Sequence, residues 1–216
     1  MNQDELIKFL EDNLKENNFN KIVDFLLHQV QLEVNKCTYR LVEIELYIYK
    51  EDHQDIYAHC HKQQKEMLTW YFHQMSSKEH SYKGGTFKGL DITCGNNDNR
   101  FGGILIRSVL NEQNNSVIEG PCKVVNEFLE KLKYNTIKDF VINKLNNNLS
   151  CFGNDCMEIK FKEYPKSEIY SGPRIGLYLK GDNIEEKKLY VDRKYRYIIM
   201  KDKIKKGKKS LGILKI

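Results

Sequence analysis

From Tyr39 to Tyr49 the chain reads YRLVEIELYIY, an alternation of apolar and polar residues that commits it to a long β-strand. Successive side chains on a strand point to opposite faces. Val42, Ile44, Leu46 and Ile48 therefore share one face, and Glu43, Glu45, Tyr47 and Tyr49 share the other. The first face needs a core to cover it. The second is either a solvated outer surface or, with two carboxylates beside two phenols, a chemical one. The flanking sequence supplies partners for the strand. Val30, Leu32 and Val34 alternate ahead of a turn at Asn35 and Lys36, the pattern of a hairpin. Upstream the period becomes helical. Leu6, Ile7, Phe9, Leu10 and Leu14 form a stripe over Asp4 to Asn17, with Asn2 or Asp4 placed to cap it. A second helix starts after Asn20 and ends near His28, which is expected to meet its terminal carbonyls.

The stretch from Trp70 to Arg107, WYFHQMSSKEHSYKGGTFKGLDITCGNNDNRFGGILIR, concentrates histidines, glycines and an isolated acid. Gly84, Gly85 and Gly89 are expected to open backbone angles closed to other residues and to let another group approach the main chain. Phe87 to Thr93 and Gly103 to Val109 read as adjacent strands joined by the loop Gly95 to Gly102. Asp91 lies between Leu90 and Ile92, so its charge calls for a partner, with Arg107 and Lys88 as candidates. His59 and His61 in DIYAHCH read as one strand face that, with His73, holds the elements of a metal site. No HExxH or Cys/His pair accompanies them, so a hydrogen-bonding role and no metal is the expectation. His53 and His80, among charges in loops, are expected to be exposed.

Further on, Gly120 and Pro121 open a helix within Ser116 to Leu132, whose N-terminal amides beside Lys123 suit an anion. Ile137 to Leu149 reads as another helix, and Met157 to Phe161, Arg174 to Leu179 and Lys188 to Met200 as strands. The fold class is α+β, one domain built on a largely antiparallel sheet with N-terminal and central helices, as 216 residues suit a single core. The net charge of +5 conceals an asymmetry. Residues 193–216 carry ten Lys/Arg against Asp202 alone, among them Arg193, Lys194, Arg196, Lys205 and Lys206. Such a segment is a solvated tail or a surface for polyanions, and DNA or RNA is the partner expected. Six cysteines without a CxxC, and a start lacking a basic and then apolar leader, predict an intracellular chain of nucleus or cytoplasm. No apolar run is long enough to span a membrane.

The order of these pieces resembles the alkyladenine (3-methyladenine) DNA glycosylase family, which it follows over about residues 20 to 200. The motifs are KIVDFLLHQVQLEV, RLVEIELYIYKEDHQDIYAH, GGTFKGLDIT, GGILIRSV, EGPCKVVNEFL, PRIGLYL and KKLYVDRKYRYI. The resemblance implies that fold and hydrolysis of the N-glycosidic bond of a flipped, alkylated purine, by a monomer that needs no cofactor. It implies that Glu45 activates the water, Tyr47 stacks on the base, His59 lies beside the flipped nucleotide and Arg107 supports the carboxylate. The duplex-wedging tyrosine of the family falls at Gly84, before Gly85, and its pocket asparagine at Asp91. Tyr82, Phe87 or Trp70 is then left to act as the wedge. Asp91 would favour a cationic base or serve as a second acid/base group, with His73 and Lys83 assisting the leaving group and Lys88 nearby. The stretch after His59 departs from the family, and its WYFH and YKGG pieces resemble an uncharacterised branch of the same superfamily. Two other functions fit the same residues. One is a different enzyme using the Glu45, His59, His73 and Asp91 cluster on another substrate, and the other a noncatalytic binder of nucleic acid.

Overall fold

In the computed structural model, which describes residues 1–76, 78–179 and 184–214, the alternating run is the fourteen-residue strand around which the sheet is built. In chain order the elements are α1 (Gln3–Lys15), α2 (Phe19–Gln29), β1 (Val30–Val34), β2 (Cys37–Lys50), β3 (His53–Gln54), β4 (Met67–Phe72), β5 (Leu90–Cys94) and β6 (Phe101–Asn111). There follow β7 (Ser116–Glu119), α3 (Pro121–Leu132), α4 (Ile137–Asn143), β8 (Met157–Phe161), β9 (Tyr170–Gly172), α5 (Ile184–Val191), β10 (Arg196–Ile198) and β11 (Gly212–Ile213). The sheet runs β11-β9-β10-β2-β6-β5-β4, with β1 and β3 also on β2, β7 on β6 and β8 on β1. Every strand pairing is antiparallel among the described residues. The architecture is α+β around one large antiparallel sheet.

Local chemistry explains the element ends. Asn2 Oδ1 accepts from the Glu5 amide at 2.9 Å and Glu5 Oε2 from the Asn2 amide at 2.8 Å, a reciprocal cap that starts α1. Asn35 and Lys36, with φ of 47° and 67°, make the two-residue turn between β1 and β2. Pro121 opens α3 where its missing amide proton costs nothing.

Apolar side chains of α1 to α4 pack in one core with Val42, Ile44, Leu46 and Ile48. The opposite face of β2 is not a solvated surface. Glu43 and Glu45 are 1% and 0% exposed, because the chain after β9 and the C-terminal segment fold over them.

Several boundaries move. The second helix begins at Phe19, and Leu90 rather than Phe87 starts β5, after a tight turn over Gly85–Phe87. The helix at Ile137 stops at Asn143 because Asn146 and Asn147 adopt left-handed φ values of 48° and 60°. Arg174 to Leu179 is no strand. Gly176 at φ 85° turns it into a loop, and the strand lies earlier at Tyr170–Gly172. Lys188 to Met200 divides into the end of α5 and then β10. His59 and His61 lie on a loop, with Cys60 at φ 49°, instead of on one strand face. His53 is buried, not exposed. The basic segment is not a free tail, since Ile204 is buried and β11 pairs with β9. Among the described residues no helix is long and apolar enough to cross a membrane.

Candidate active site

Register brings the site together. Arg196 faces Glu45 across β10 and β2, Glu45 faces Leu105 on β6, Leu105 faces Asp91 on β5, and Asp91 faces Tyr71 on β4. Residues directly opposed across antiparallel strands point to the same side, so these five form one row on the face away from the helices. The β2–β6 register slips after Glu43, which pairs with Ser108, so that Ile44 pairs with Ile106 and Arg107 is left unopposed. A bulge of this kind re-aims a side chain. Here the chain delivers a guanidinium to the two glutamates.

Arg107 Nε lies 3.0 Å from Glu43 Oε1 and 3.3 Å from Glu45 Oε1, and its Nη1 lies 3.5 Å from Glu45 Oε2. Glu43 also accepts from Arg196 Nε at 2.6 Å and from the Ser108 hydroxyl. Glu45 Oε1 accepts from the Ile175 amide at 2.8 Å and Oε2 from the Tyr47 hydroxyl at 2.8 Å. Burial raises the Glu45 pKa above the ordinary carboxylate value, against the opposing pull of Arg107, the Ile175 amide and Tyr47. Burial and the Glu45 charge hold the Tyr47 phenol well above its usual range, so it remains a donor.

A second buried ion pair fixes the loop that covers Glu45. Arg174 forks onto Asp55, with Nη2 donating to Oδ1 at 3.0 Å and Nη1 to Oδ2, and Nη1 also donates to the Leu46 carbonyl at 2.9 Å. Its guanidinium carbon stands 4.4 Å from the centre of the Tyr47 ring.

Beside this network is a cavity of about 120 Å³ lined by Tyr47, Tyr57, His59, Gln64, His73, Asp91, Leu105 and Leu177. Of the site residues expected from sequence, Tyr47, His59, His73 and Asp91 line it. Glu45 is not one of the lining residues and is joined to the wall through the Tyr47 hydroxyl. Asp91 pairs with His73, at 2.7 Å, and with Gln64; neither Arg107 nor Lys88 is its partner. Lys88 instead donates to Asn126 at 2.7 Å. Lys83 Nζ lies 3.3 Å from His59 Nε2. Lys83 also lines a neighbouring cleft with Lys88, Lys138, Tyr82 and Gly84.

Other expected residues lie elsewhere. Tyr82 packs edge-on against Phe72, with ring centres 6.3 Å apart, away from the cavity. Gly84 is extended, and of the Gly84–Gly85 pair only Gly85 has a left-handed φ, 55°. Trp70 is fully buried, whereas Phe87 is 76% exposed. Arg196 is 0% exposed and bound to Glu43 and to the Lys206 and Gly207 carbonyls, so it does not belong to a nucleic-acid surface. Lys123, Lys194, Lys205 and Lys206 are exposed, and Arg193 lies over the rings of Tyr190 and Tyr195. Among the described residues no group of three His, Cys, Asp or Glu side chains is placed to hold a metal ion.

Asp55, Arg174 and Gln64 join the site unannounced by the sequence reading, which places Glu43 on the Glu45 face without giving it a role. Arg174 carries a signal, a lone charge in SGPRIGLYL, and Glu43 another, its place on the Glu45 face. Gln64 carries none.

No family model matches the chain, and no solved structure matches it. It is similar to the uncharacterized protein L759 of Acanthamoeba polyphaga mimivirus, with 42% identity over 212 residues covering 92% of this chain and 93% of that one. An identity that high, sustained over nearly the whole of both chains, leaves one conclusion: the chain belongs to the same family as the mimivirus protein.

Proposed function

We propose that the chain is an N-glycosidic hydrolase that releases a modified purine from DNA. The observation that carries the reading is the Glu45–Tyr47 hydrogen bond, which joins a buried, arginine-clamped carboxylate to the wall of a ring-lined cavity. At about 120 Å³ the cavity is smaller than the ~300–1,000 Å³ that encloses drug-sized ligands. It suits a flat base and leaves sugar and phosphate outside, as for a nucleotide swung out of its helix. Tyr57 and His59 flank the ring. Water at C1′ passes its proton through the Tyr47 hydroxyl to Glu45, whose raised pKa makes it a stronger base than an exposed carboxylate. Lys83, next to His59, and Lys88 and Lys138 in the adjoining cleft supply positive charge for the phosphates. Phe87, the exposed aromatic of the Gly85–Phe87 turn, takes the place of the wedge. The test is release of free base from oligonucleotides carrying alkylated and deaminated purines.

The cavity size also favours a second reading, an acid/base enzyme acting on a small free substrate with Glu45, His73 and Asp91. Turnover of free nucleosides with no base released from oligonucleotides would select it.

A further inference from the structure

Gln63, in the short helical turn Lys62–Lys65, holds one end of two polar side chains and leaves the other end of each bare. Its amide donates to His61 Nδ1 at 3.3 Å, and its Oε1 accepts from Gln74 Nε2 at 2.8 Å. Burial, with Lys62 assisting, lowers the His61 pKa and keeps the ring neutral. Since Nδ1 is the acceptor, the single proton of the ring sits on Nε2. Neither His61 Nε2 nor Gln74 Oε1 has a hydrogen-bond partner among the described residues, and both atoms are buried. An unpaired buried donor and an unpaired buried acceptor each cost free energy, which a group that engages both would recover. Gln74 as a whole is only 8% exposed.

The two side chains line one cleft of about 410 Å³, whose walls include His59, Tyr71, Met75 and Lys83. His59 also lines the cavity of the candidate active site, so cleft and cavity share a wall. The buried Tyr71 ring carries both histidines. His61 stacks on it with centres 5.1 Å and planes 21° apart, and His59 meets it edge-on at 6.1 Å. Met75, 72% exposed, gives the cleft an apolar edge. Lys83 Nζ, 3.3 Å from His59 Nε2, puts positive charge at the shared wall. A strand with one base in the cavity has its next base one phosphate away, and the cleft supplies rings, charge and an unpaired donor and acceptor there.

We propose that this cleft binds the base next in the strand to the one in the cavity, with His61 Nε2 donating to its Watson–Crick edge and Gln74 Oε1 accepting from it. The inference rests on the reading of the chain as an N-glycosidic hydrolase acting on nucleic acid. Every base presents an acceptor beside a donor on that edge, a ring nitrogen beside an amino group in adenine and cytosine, a carbonyl beside a ring N–H in guanine and thymine. The cleft therefore takes a base of any identity, provided it is unpaired, because in a duplex the complement occupies the same edge. The substrate class is a single strand, or a duplex opened over two neighbouring nucleotides.

The test is equilibrium binding of a fluorescein-labelled single-stranded oligonucleotide with hypoxanthine at its centre and, at one flank or the other, either a base or the baseless tetrahydrofuran residue. For the natural protein, tetrahydrofuran at one flank weakens binding about 10-fold, the scale of one held base, and at the other flank has little effect. His61→Phe, which keeps a ring on Tyr71, and Gln74→Met each bind the intact strand about 10-fold more weakly and lose nothing further to tetrahydrofuran at the sensitive flank. No loss at either flank in the natural protein, or the same tetrahydrofuran loss in the folded variants as in the natural protein, would overturn the proposal. Base release from the same strands, and from strands carrying 7-methylguanine, is read in parallel. Release without flank dependence overturns the cleft alone and leaves the hydrolase standing. Flank dependence with no base released supports the cleft and overturns the hydrolase.

Discussion

Arg107 Nε stands 3.3 Å from Glu45 Oε1 while the same nitrogen is 3.0 Å from Glu43 Oε1, so one guanidinium serves two carboxylates that are both shut off from water. Removing it leaves Glu45 with a buried charge and no ion-pair partner among the described residues, and Glu43 paired there with Arg196. Arg107→Leu is therefore expected to lose about 3–5 kcal/mol of stability in urea unfolding. Arg107→Lys recovers only part, because a single ammonium cannot fork between two acceptors. A loss below about 1 kcal/mol in Arg107→Leu would contradict this account of the clamp.

Asp55 and Arg174 are both fully buried and hold the loop whose Ile175 amide reaches Glu45. Asp55→Leu and Arg174→Met should each cost about 3–5 kcal/mol, since each strands a buried charge. The double variant should cost clearly less than the sum, which a double-mutant cycle reads directly. Strict additivity would mean that the two side chains do not act as a pair.

Phe87 is exposed and makes no contribution to the core, so Phe87→Ala should change stability by no more than about 0.5 kcal/mol. Its effect is expected in the substrate. Release from duplex DNA falls while release from single strands is kept, because only the duplex must be unstacked before the base can leave. Equal losses on both forms would remove the wedge role.

His53 is 6% exposed among the rings of Phe19, Tyr190 and Tyr195, and its Nε2 has no partner among the described residues. Burial lowers its pKa to about 4, with Asp55 and Asp52 opposing and Arg193 and Lys50 assisting. The unfolded chain, with a histidine pKa of about 6.5, then binds more protons than the native one between those values. The stability His53 confers is complete above about pH 6.5 and is lost as pH falls through about 4. Thermal unfolding across that window should show the decline, and His53→Phe should flatten it. An unaltered slope in the variant would assign the pH dependence to other groups.

The central strand is legible in the sequence because its alternation is long and both its faces are unmixed. Its buried second face is not, since burial of Glu43 and Glu45 depends on guanidinium groups that arrive from β6 and β10 and on a loop more than a hundred residues away in the chain. Asp91 announces its need for a partner, yet which partner is decided by the β4–β5 register and by Gly89 and Gly103, where a Cβ would lie 2.5 Å from the His73 ring and from Asp91 Oδ2. Arg196 reads as surface because it sits in a basic run, and only its pairing opposite Glu45 shows that it points inward. Arg174 to Leu179 mimics a strand through Ile175 and Leu177, but Gly176 bends it into the cover over the site.

The account turns on Glu45 as the base of an N-glycosidic hydrolysis. The most direct measurement is single-turnover release of free base from duplex and single-stranded oligonucleotides carrying alkylated and deaminated purines, comparing the natural protein with Glu45→Gln. The account predicts release by the natural protein and a rate lower by at least about 10²-fold in the variant, with nucleic-acid binding retained. Equal release by the two proteins, or no base released from any of these substrates, would contradict it.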